Sequence, residues 1–329
     1  MTPTGTEADR PGARAAGLGH RAVARLTDTG YALGWTVVRK MPERLARALF
    51  NAIADRAWRQ RGAGVRQLEL NLCRVLGRDR PDAYVRLTSK QVMRSYFRYW
   101  LEVFRLPEYS KERILGHMNV SGHEKMLEIL DSGRGVILAL PHMGNYEQAG
   151  AWLVHMGYPF TTVAERLRPE SLFDRFVAFR ESLGMEVLPH KGASAFGRLA
   201  QRLRAGRPVC LVVDRDLTDS GVDVEFFGET ARMPAVAAAL AIQTGAALHP
   251  VTLWYEGEDW GARVHDEIPV PETGGRRERV QAMTQQLARI FQEGIAEHPA
   301  DWHMLQKVWV ADLGREPGRG AGRPAEGTR

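Results

Sequence analysis

A histidine and a glutamate stand five positions apart in Leu138-Ala-Leu-Pro-His-Met-Gly-Asn-Tyr-Glu-Gln148, where an apolar run ends. Pro141 cannot donate to a sheet ladder, so the strand-like run closes there and His142 follows at once. Asn145 is a favourable N-cap, with Gln148 at the third helical position as in a capping box, so a helix starts at Tyr146. Glu147 then lies in the first helical turn, where the positive end of the helix dipole favours its ionised form. A neutral imidazole at a strand end is a natural general base for a hydroxyl, with the carboxylate facing the same crevice. The same residues read equally well as a hydrogen-bonded turn histidine beside a capping glutamate.

The elements that must hold these groups follow from the apolar patterning. After Gly133 short apolar runs at 135–140, 160–164, 185–188, 208–213, 222–227, 248–255 and 262–268 alternate with helical stretches at 146–156, 169–183, 193–205, 234–244 and 278–296. That alternation predicts an α/β fold, a mostly parallel central β-sheet covered by helices on both faces. In such sheets ligands bind beyond the carboxyl ends of the strands, where His142 falls. The stretch 28–105 reads as an N-terminal helical layer, with Pro42 opening its second helix and further helices over 65–76 and 89–104. Its arginines and the cluster Tyr96, Phe97, Tyr99 and Trp100 suit either a layer packed on the core or one lying on a bilayer. Residues 1–27 and 314–329 are Gly- and Arg-rich without apolar periodicity and are expected to be disordered tails.

Composition narrows the chemistry. The 329 residues carry 44% hydrophobic and 26% charged side chains, ordinary for a globular protein. Two cysteines, Cys73 and Cys210, exclude a disulfide framework and a thiolate zinc site, and no His/Asp/Glu set has metal spacing. A net charge of +6 suggests an anionic partner. The arginines are spread among acids, however, and no RNP, KH or zinc-finger pattern appears, which argues against nucleic acid. No Rossmann or P-loop fingerprint is present. The uncharged stretch 233–255 is broken by Pro234, Gly245 and Pro250, so it reads as a buried helix, a glycine turn and a buried strand. The N-terminus lacks an apolar signal core, so a cytoplasmic protein is expected. His249 and His303 read as structural, one in a buried strand and the other in a late helix.

His142-x-x-x-x-Glu147 resembles the H-x4-D/E signature of glycerolipid and glycolipid acyltransferases. Around it stand Thr162-Val-Ala-Glu-Arg-Leu-Arg-Pro-Glu-Ser-Leu172, Phe226-Phe-Gly228 with Arg232-Met-Pro234, and Asp301-Trp-His-Met-Leu-Gln306. Together, over about 27–313, they resemble the phosphatidylinositol mannoside acyltransferases of actinobacteria, the branch related to bacterial lipid A acyltransferases. The resemblance implies one acyltransferase domain over 28–313. It implies acyl-CoA as co-substrate without a bound cofactor, a glycophospholipid acceptor, and work at the cytoplasmic face of the plasma membrane. His142 would be the general base toward the mannose 6-hydroxyl.

The family places the acid that orients this base in a Glu-Arg-Asp-Leu-Thr segment. Here the stretch is Asp214-Arg-Asp-Leu-Thr218, which makes Asp214 the partner, one methylene shorter, with Asp216 next in line. Glu165 follows the run 160–164 at its carboxyl end, and Arg180 matches, by the same resemblance, a family arginine of the polar pocket. Both are expected to line the head-group site or else to form a structural ion pair, while Arg232 is expected to face substrate phosphate. The oxyanion calls for donors such as backbone N–H groups near Gly144 or an arginine. Phe226 and Phe227 read first as core residues and, with Trp152, as alternative candidates for the acyl slot. Two other readings are a different lipid hydroxyl as acceptor and a non-catalytic peripheral lipid-binding protein.

Overall fold

Pro42, with φ −53°, caps the first long helix, α1 (Glu43–Gln60), as its fixed dihedral allows. It is followed by α2 (Ala63–Val75) and α3 (Ala83–Arg105). The computed structural model describes residues 37–164, 177–189, 193–216 and 221–314. Helix α3 starts six residues before the expected 89, because the Asp82 carboxylate accepts from the Val85 N–H and caps it there. Val65, Leu68 and Leu72 of α2 pack against Val85, Val92 and Met93 of α3, while Ala46 and Phe50 of α1 pack against Leu101. The layer is therefore held by its own core. It joins the main body through Tyr99 and Val103.

Four short elements lead into the sheet: α4 (Lys111–Gly116), β1 (Met118–Ser121), α5 (His123–Asp131) and β2 (Val136–Leu140). Next come α6 (Tyr146–His155), β3 (Thr161–Ala164), β4 (Glu186–Pro189), α7 (Ala193–Arg204) and β5 (Pro208–Val212). The chain then forms β6 (Val222–Phe226), β7 (Glu229–Met233), α8 (Val236–Thr244), β8 (Ala247–Glu256), β9 (Asp259–Val264), α9 (Arg276–Glu297) and α10 (Val310–Leu313). The strand order is β1-β9-β8-β2-β5-β3-β4, and within it only the β8–β9 pair is antiparallel.

Alternation along the central strands sorts their side chains into two apolar clusters. Ile137, Ala139, Val209, Leu211 and Leu248 face α7, α8 and α9. Leu138, Leu140, Val251 and Leu253 face the end of α3 and helices α4, α5 and α6. Both faces are covered, as the βα alternation requires.

Three elements depart from the sequence reading. Strand β1 was not apparent, since four residues pairing at the sheet edge leave little periodicity. The run 222–227 is not part of the main sheet: β6 pairs antiparallel with the unexpected β7 in a separate hairpin. Its two-residue turn, Phe227-Gly228, has positive φ at both positions (51° and 78°), which suits the right-handed twist of the flanking strands. Gln285 and Gln292 of α9 accept from its Glu225 and Phe227 N–H groups. His303 is not helical, but follows a single 3₁₀ turn, Pro299–Asp301. Of the expected helix 169–183, most lies outside the described residues.

Candidate functional site

Leu140 of β2 is paired with Val212 of β5, and the Val213 N–H still donates to the Leu140 carbonyl at 2.8 Å. Two residues further along this register, His142 and Asp214 stand directly opposite one another. Asp214 Oδ1 lies 2.5 Å from His142 Nδ1, and Oδ2 accepts from the His142 backbone N–H at 2.9 Å and from Trp302 Nε1 at 3.0 Å. Direct opposition puts the shorter aspartate side chain within reach of the imidazole, with no gap for a further methylene to bridge. Burial by itself would raise the Asp214 carboxyl. The His142 charge and the hydrogen bonds from His142 and Trp302 hold it below its ordinary value. With Nδ1 committed to a fully buried carboxylate, Nε2 is the nitrogen left on a ring whose side chain is one-third exposed.

A strap from the chain's far end secures this turn. The His303 N–H donates to the His142 carbonyl at 2.8 Å and the Gly144 N–H to the Asp301 carbonyl at 2.9 Å, with an antiparallel bridge between Met143 and Trp302. Gly144 has φ +55°, and a Cβ there would sit 2.8 Å from the Leu253 carbonyl carbon, so only glycine fits. Its N–H, an expected oxyanion donor, is thereby committed to the strap. Those of His142 and Met143 are committed too, the latter to the Pro141 carbonyl.

Glu147 does not pair with His142. It is 2% exposed and forms an ion pair with Arg180, whose Nε reaches both carboxylate oxygens at 3.1 Å. Burial works to lower the Arg180 guanidinium, but the Glu147 charge raises it above its ordinary value. The helix that carries Glu147 is capped as expected, Asn145 Oδ1 accepting from the Gln148 N–H at 3.0 Å. The capping box is incomplete, because the Gln148 amide turns to the Ile114 carbonyl. Asn145 Nδ2 is in turn held by buried Glu102, which also accepts from Trp260 Nε1. Arg232 sits on β7, buried, with its Nε 2.7 Å from its cross-strand partner Asp223. It does not line the cavity described next. Asp216 Oδ2 accepts from the Gly221 N–H and does not reach His142. Glu165 lies outside the described residues.

A cavity of about 90 Å³ lies on the sheet face that carries Leu140 and Val212, which stand two residues before His142 and Asp214 on their strands. Leu138, Leu140, Cys210, Val212, Val251 and Val264 form its floor, with Gly150 and Trp152 of α6 above. Its lining residues run from Val120 on β1 to Thr162 on β3, six strands across, or about 24 Å at the usual strand spacing. Tyr146, Glu147 and Arg180 supply its polar wall. Of the slot residues expected from sequence, Trp152 lines it, whereas Phe226 and Phe227 belong to the opposite core cluster. Burial pushes the Cys210 thiol far up, so it is not a thiolate nucleophile. Among the described residues no group of three or more His, Cys, Asp or Glu is arranged to hold a metal ion.

Residues 20–311 match the family model described as bacterial lipid A biosynthesis acyltransferase. The chain belongs to this family. As a member of the bacterial lipid A biosynthesis acyltransferase family it is an acyltransferase. It is 51% identical over 297 residues to a phosphatidylinositol mannoside acyltransferase of Mycolicibacterium smegmatis, covering 89% of this chain and 94% of that one. A protein of the same name from Mycobacterium tuberculosis is 47% identical over 291 residues, 87% and 90% of the two chains. Among solved structures, the 1-acyl-sn-glycerophosphate acyltransferase PlsC of Thermotoga maritima aligns with a TM-score of 0.36 at 13% identity, over 75% of this chain and 97% of that one.

Sequence reasoning missed the hydrogen bond from Trp302 to Asp214 and the strap. The run Asp301-Trp-His was noticed as a family feature, but nothing in its local pattern says that it crosses to residue 142.

Proposed function

We propose that this acyltransferase moves a long-chain fatty acyl group, palmitoyl in the first instance, from acyl-CoA to the mannose 6-hydroxyl of a phosphatidylinositol mannoside. The observation that carries the reading is the His142–Asp214 pair at the carboxyl ends of parallel strands whose Leu140 and Val212 line a long apolar cavity. The 51% identical relative's name supplies the acceptor.

In this mechanism His142 Nε2 takes the hydroxyl proton as the sugar oxygen attacks the thioester carbonyl. Asp214 fixes the Nδ1–H tautomer and stabilises the imidazolium that forms. The tetrahedral intermediate collapses, the C–S bond breaks, and the imidazolium returns the proton to the leaving CoA sulfur. The acyl chain lies in the cavity under α6. No acyl-enzyme forms. Glu147 acts as a positioning residue, holding Arg180 against α6, and Arg180 with Glu165 borders the head-group site.

The acceptor is a lipid, and α1 offers a face for it. Leu45, Leu49 and Ile53, four residues apart along the helix, are 61%, 43% and 40% exposed, with Arg44, Arg56 and Arg59 exposed on the same helix. An apolar stripe with cations beside it suits peripheral docking on an anionic leaflet at the cytoplasmic face of the plasma membrane. No helix among the described residues is long and apolar enough to cross a membrane.

The test is product analysis by mass spectrometry, with purified protein, palmitoyl-CoA and a panel of acceptors. The panel holds mono- and di-mannosylated phosphatidylinositol, lysophosphatidic acid and a lipid A precursor. An acyl mass gained on the mannosides and lost in His142→Ala is expected. Transfer to another acceptor alone would overturn the substrate, and transfer by His142→Ala at the wild-type rate would overturn the base.

A further inference from the structure

We infer that His303 is a second histidine of the active site, whose Nδ1 lone pair accepts a hydrogen bond from a hydroxyl of the acceptor sugar beside the one His142 deprotonates. The inference rests on the acceptor reading above.

The bridge between Met143 and Trp302 pairs residue 142 with residue 303. In an antiparallel pair, opposed residues share a face and stand about 4.5–5.5 Å apart at Cβ. The neighbouring pair confirms the sorting, since Met143 and Trp302 both turn into the core cluster behind the sheet. His142 and His303 therefore face the same side. There Tyr96 and Tyr99 of α3 wall the second ring, with centroids 5.7 and 6.0 Å away.

The tautomer of His303 is set from behind. Asp301 Oδ1 accepts from the Ser95 hydroxyl at 2.6 Å, and Oδ2 accepts from the Tyr255 N–H at 3.0 Å. The Ser95 proton being spent on Asp301, Ser95 Oγ is left to accept from His303 Nε2–H at 2.8 Å. That leaves Nδ1 unprotonated. It has no partner among the described residues, yet it is not one of the sealed polar atoms, and the residue keeps 6% of its surface open. Burial, with the His142 charge adding to it, lowers the His303 ring to about 3, so it stays neutral when His142 becomes an imidazolium. A neutral acceptor locked in one tautomer next to the base is suited to orient a polyol. A purely structural histidine needs no open nitrogen.

The experiment measures transfer to mono-mannosylated phosphatidylinositol, and palmitoyl-CoA hydrolysis without acceptor, for the full chain and the variants His303→Ala, His303→Asn and Ser95→Ala. Asparagine puts an acceptor oxygen near the place of Nδ1. His303→Ala is expected to raise the acceptor KM about tenfold, leaving the palmitoyl-CoA KM and the hydrolysis rate within about twofold of wild type. His303→Asn should recover most of that loss. Ser95→Ala, which keeps the ring but frees its tautomer, should raise the acceptor KM by a smaller factor.

An unchanged acceptor KM in His303→Ala, or an asparagine variant no better than alanine, would overturn the inference. So would hydrolysis and transfer falling together, the mark of a structural role. Wild-type protein that leaves the mannoside unmodified would overturn the acceptor reading and this inference with it.

Discussion

At the scale of single residues the site depends on one buried carboxylate with three hydrogen bonds. Trp302 supplies the one that does not come from His142. Trp302→Phe keeps most of the ring and removes that donor. A hydrogen bond to a charged group contributes about 1.5–3 kcal/mol, so kcat should fall roughly 10- to 100-fold. An unchanged kcat would make Trp302 a core filler only. Asp214→Asn should cost more, about 10²–10⁴-fold, because it disturbs tautomer and charge together.

Acid should weaken the same region. Asp214 is depressed in the fold, so its contribution is complete above its unfolded value near 3.8 and is lost as pH falls through the folded one. His303 acts at higher pH. Its folded value of about 3 lies below the 6.5 of the free side chain, so the unfolded chain takes up a proton that the fold refuses, and stability falls as pH drops from 6.5 towards 3. Urea unfolding at pH 7 and pH 5 should show a smaller acid loss for His303→Asn than for wild type. Equal losses would contradict this assignment.

At the scale of elements, α6 does two jobs through its first turns: Glu147 pairs with Arg180, and Gly150 leaves room over the cavity. A Cβ at Gly150 would stand 2.9 Å from Phe160 Cζ and 3.0 Å from Met185 Cε, both cavity-lining side chains. Gly150→Val must push one of them into the cavity. The kcat/KM for palmitoyl-CoA should then fall about tenfold relative to octanoyl-CoA, as overpacking of 1–3 kcal/mol implies. Equal losses for both donors would mean that the acyl chain does not run beneath α6.

At the scale of the whole molecule, the helical layer both packs on the sheet and offers a face outward. Phe50 and Ala46 point in while Leu45, Leu49 and Ile53 point out, so the helix packs on the core with one face and leaves an exposed apolar face for the proposed membrane docking. Changing Leu45, Leu49 and Ile53 together to serine should reduce co-sedimentation with anionic vesicles about tenfold or more, with thermal stability unchanged because these side chains are exposed. Neutralising Arg44 and Arg59 should weaken binding in a salt-dependent way. Vesicle binding that survives all five changes would place the docking face elsewhere.

Much of this was written locally. The strand ending at Pro141, the Asn145 cap and the βα alternation all follow from short-range pattern, whereas Asp214 as partner of His142 comes from the family resemblance and not from local pattern. Local pattern carries the first three because period-2 and period-3.6 burial and proline's missing donor act within a few residues. The hairpin β6–β7, the turning of Glu147 from His142 to Arg180, the place of Arg232 and the strap through Trp302 and His303 were decided only by tertiary structure. Each depends on which distant groups arrive to satisfy a buried charge or an unpaired backbone group. A carboxylate in the first turn of a helix looks the same in sequence whether it meets an imidazole or a guanidinium. The fold decides, since an ion removed from water takes the partner that packing brings within reach.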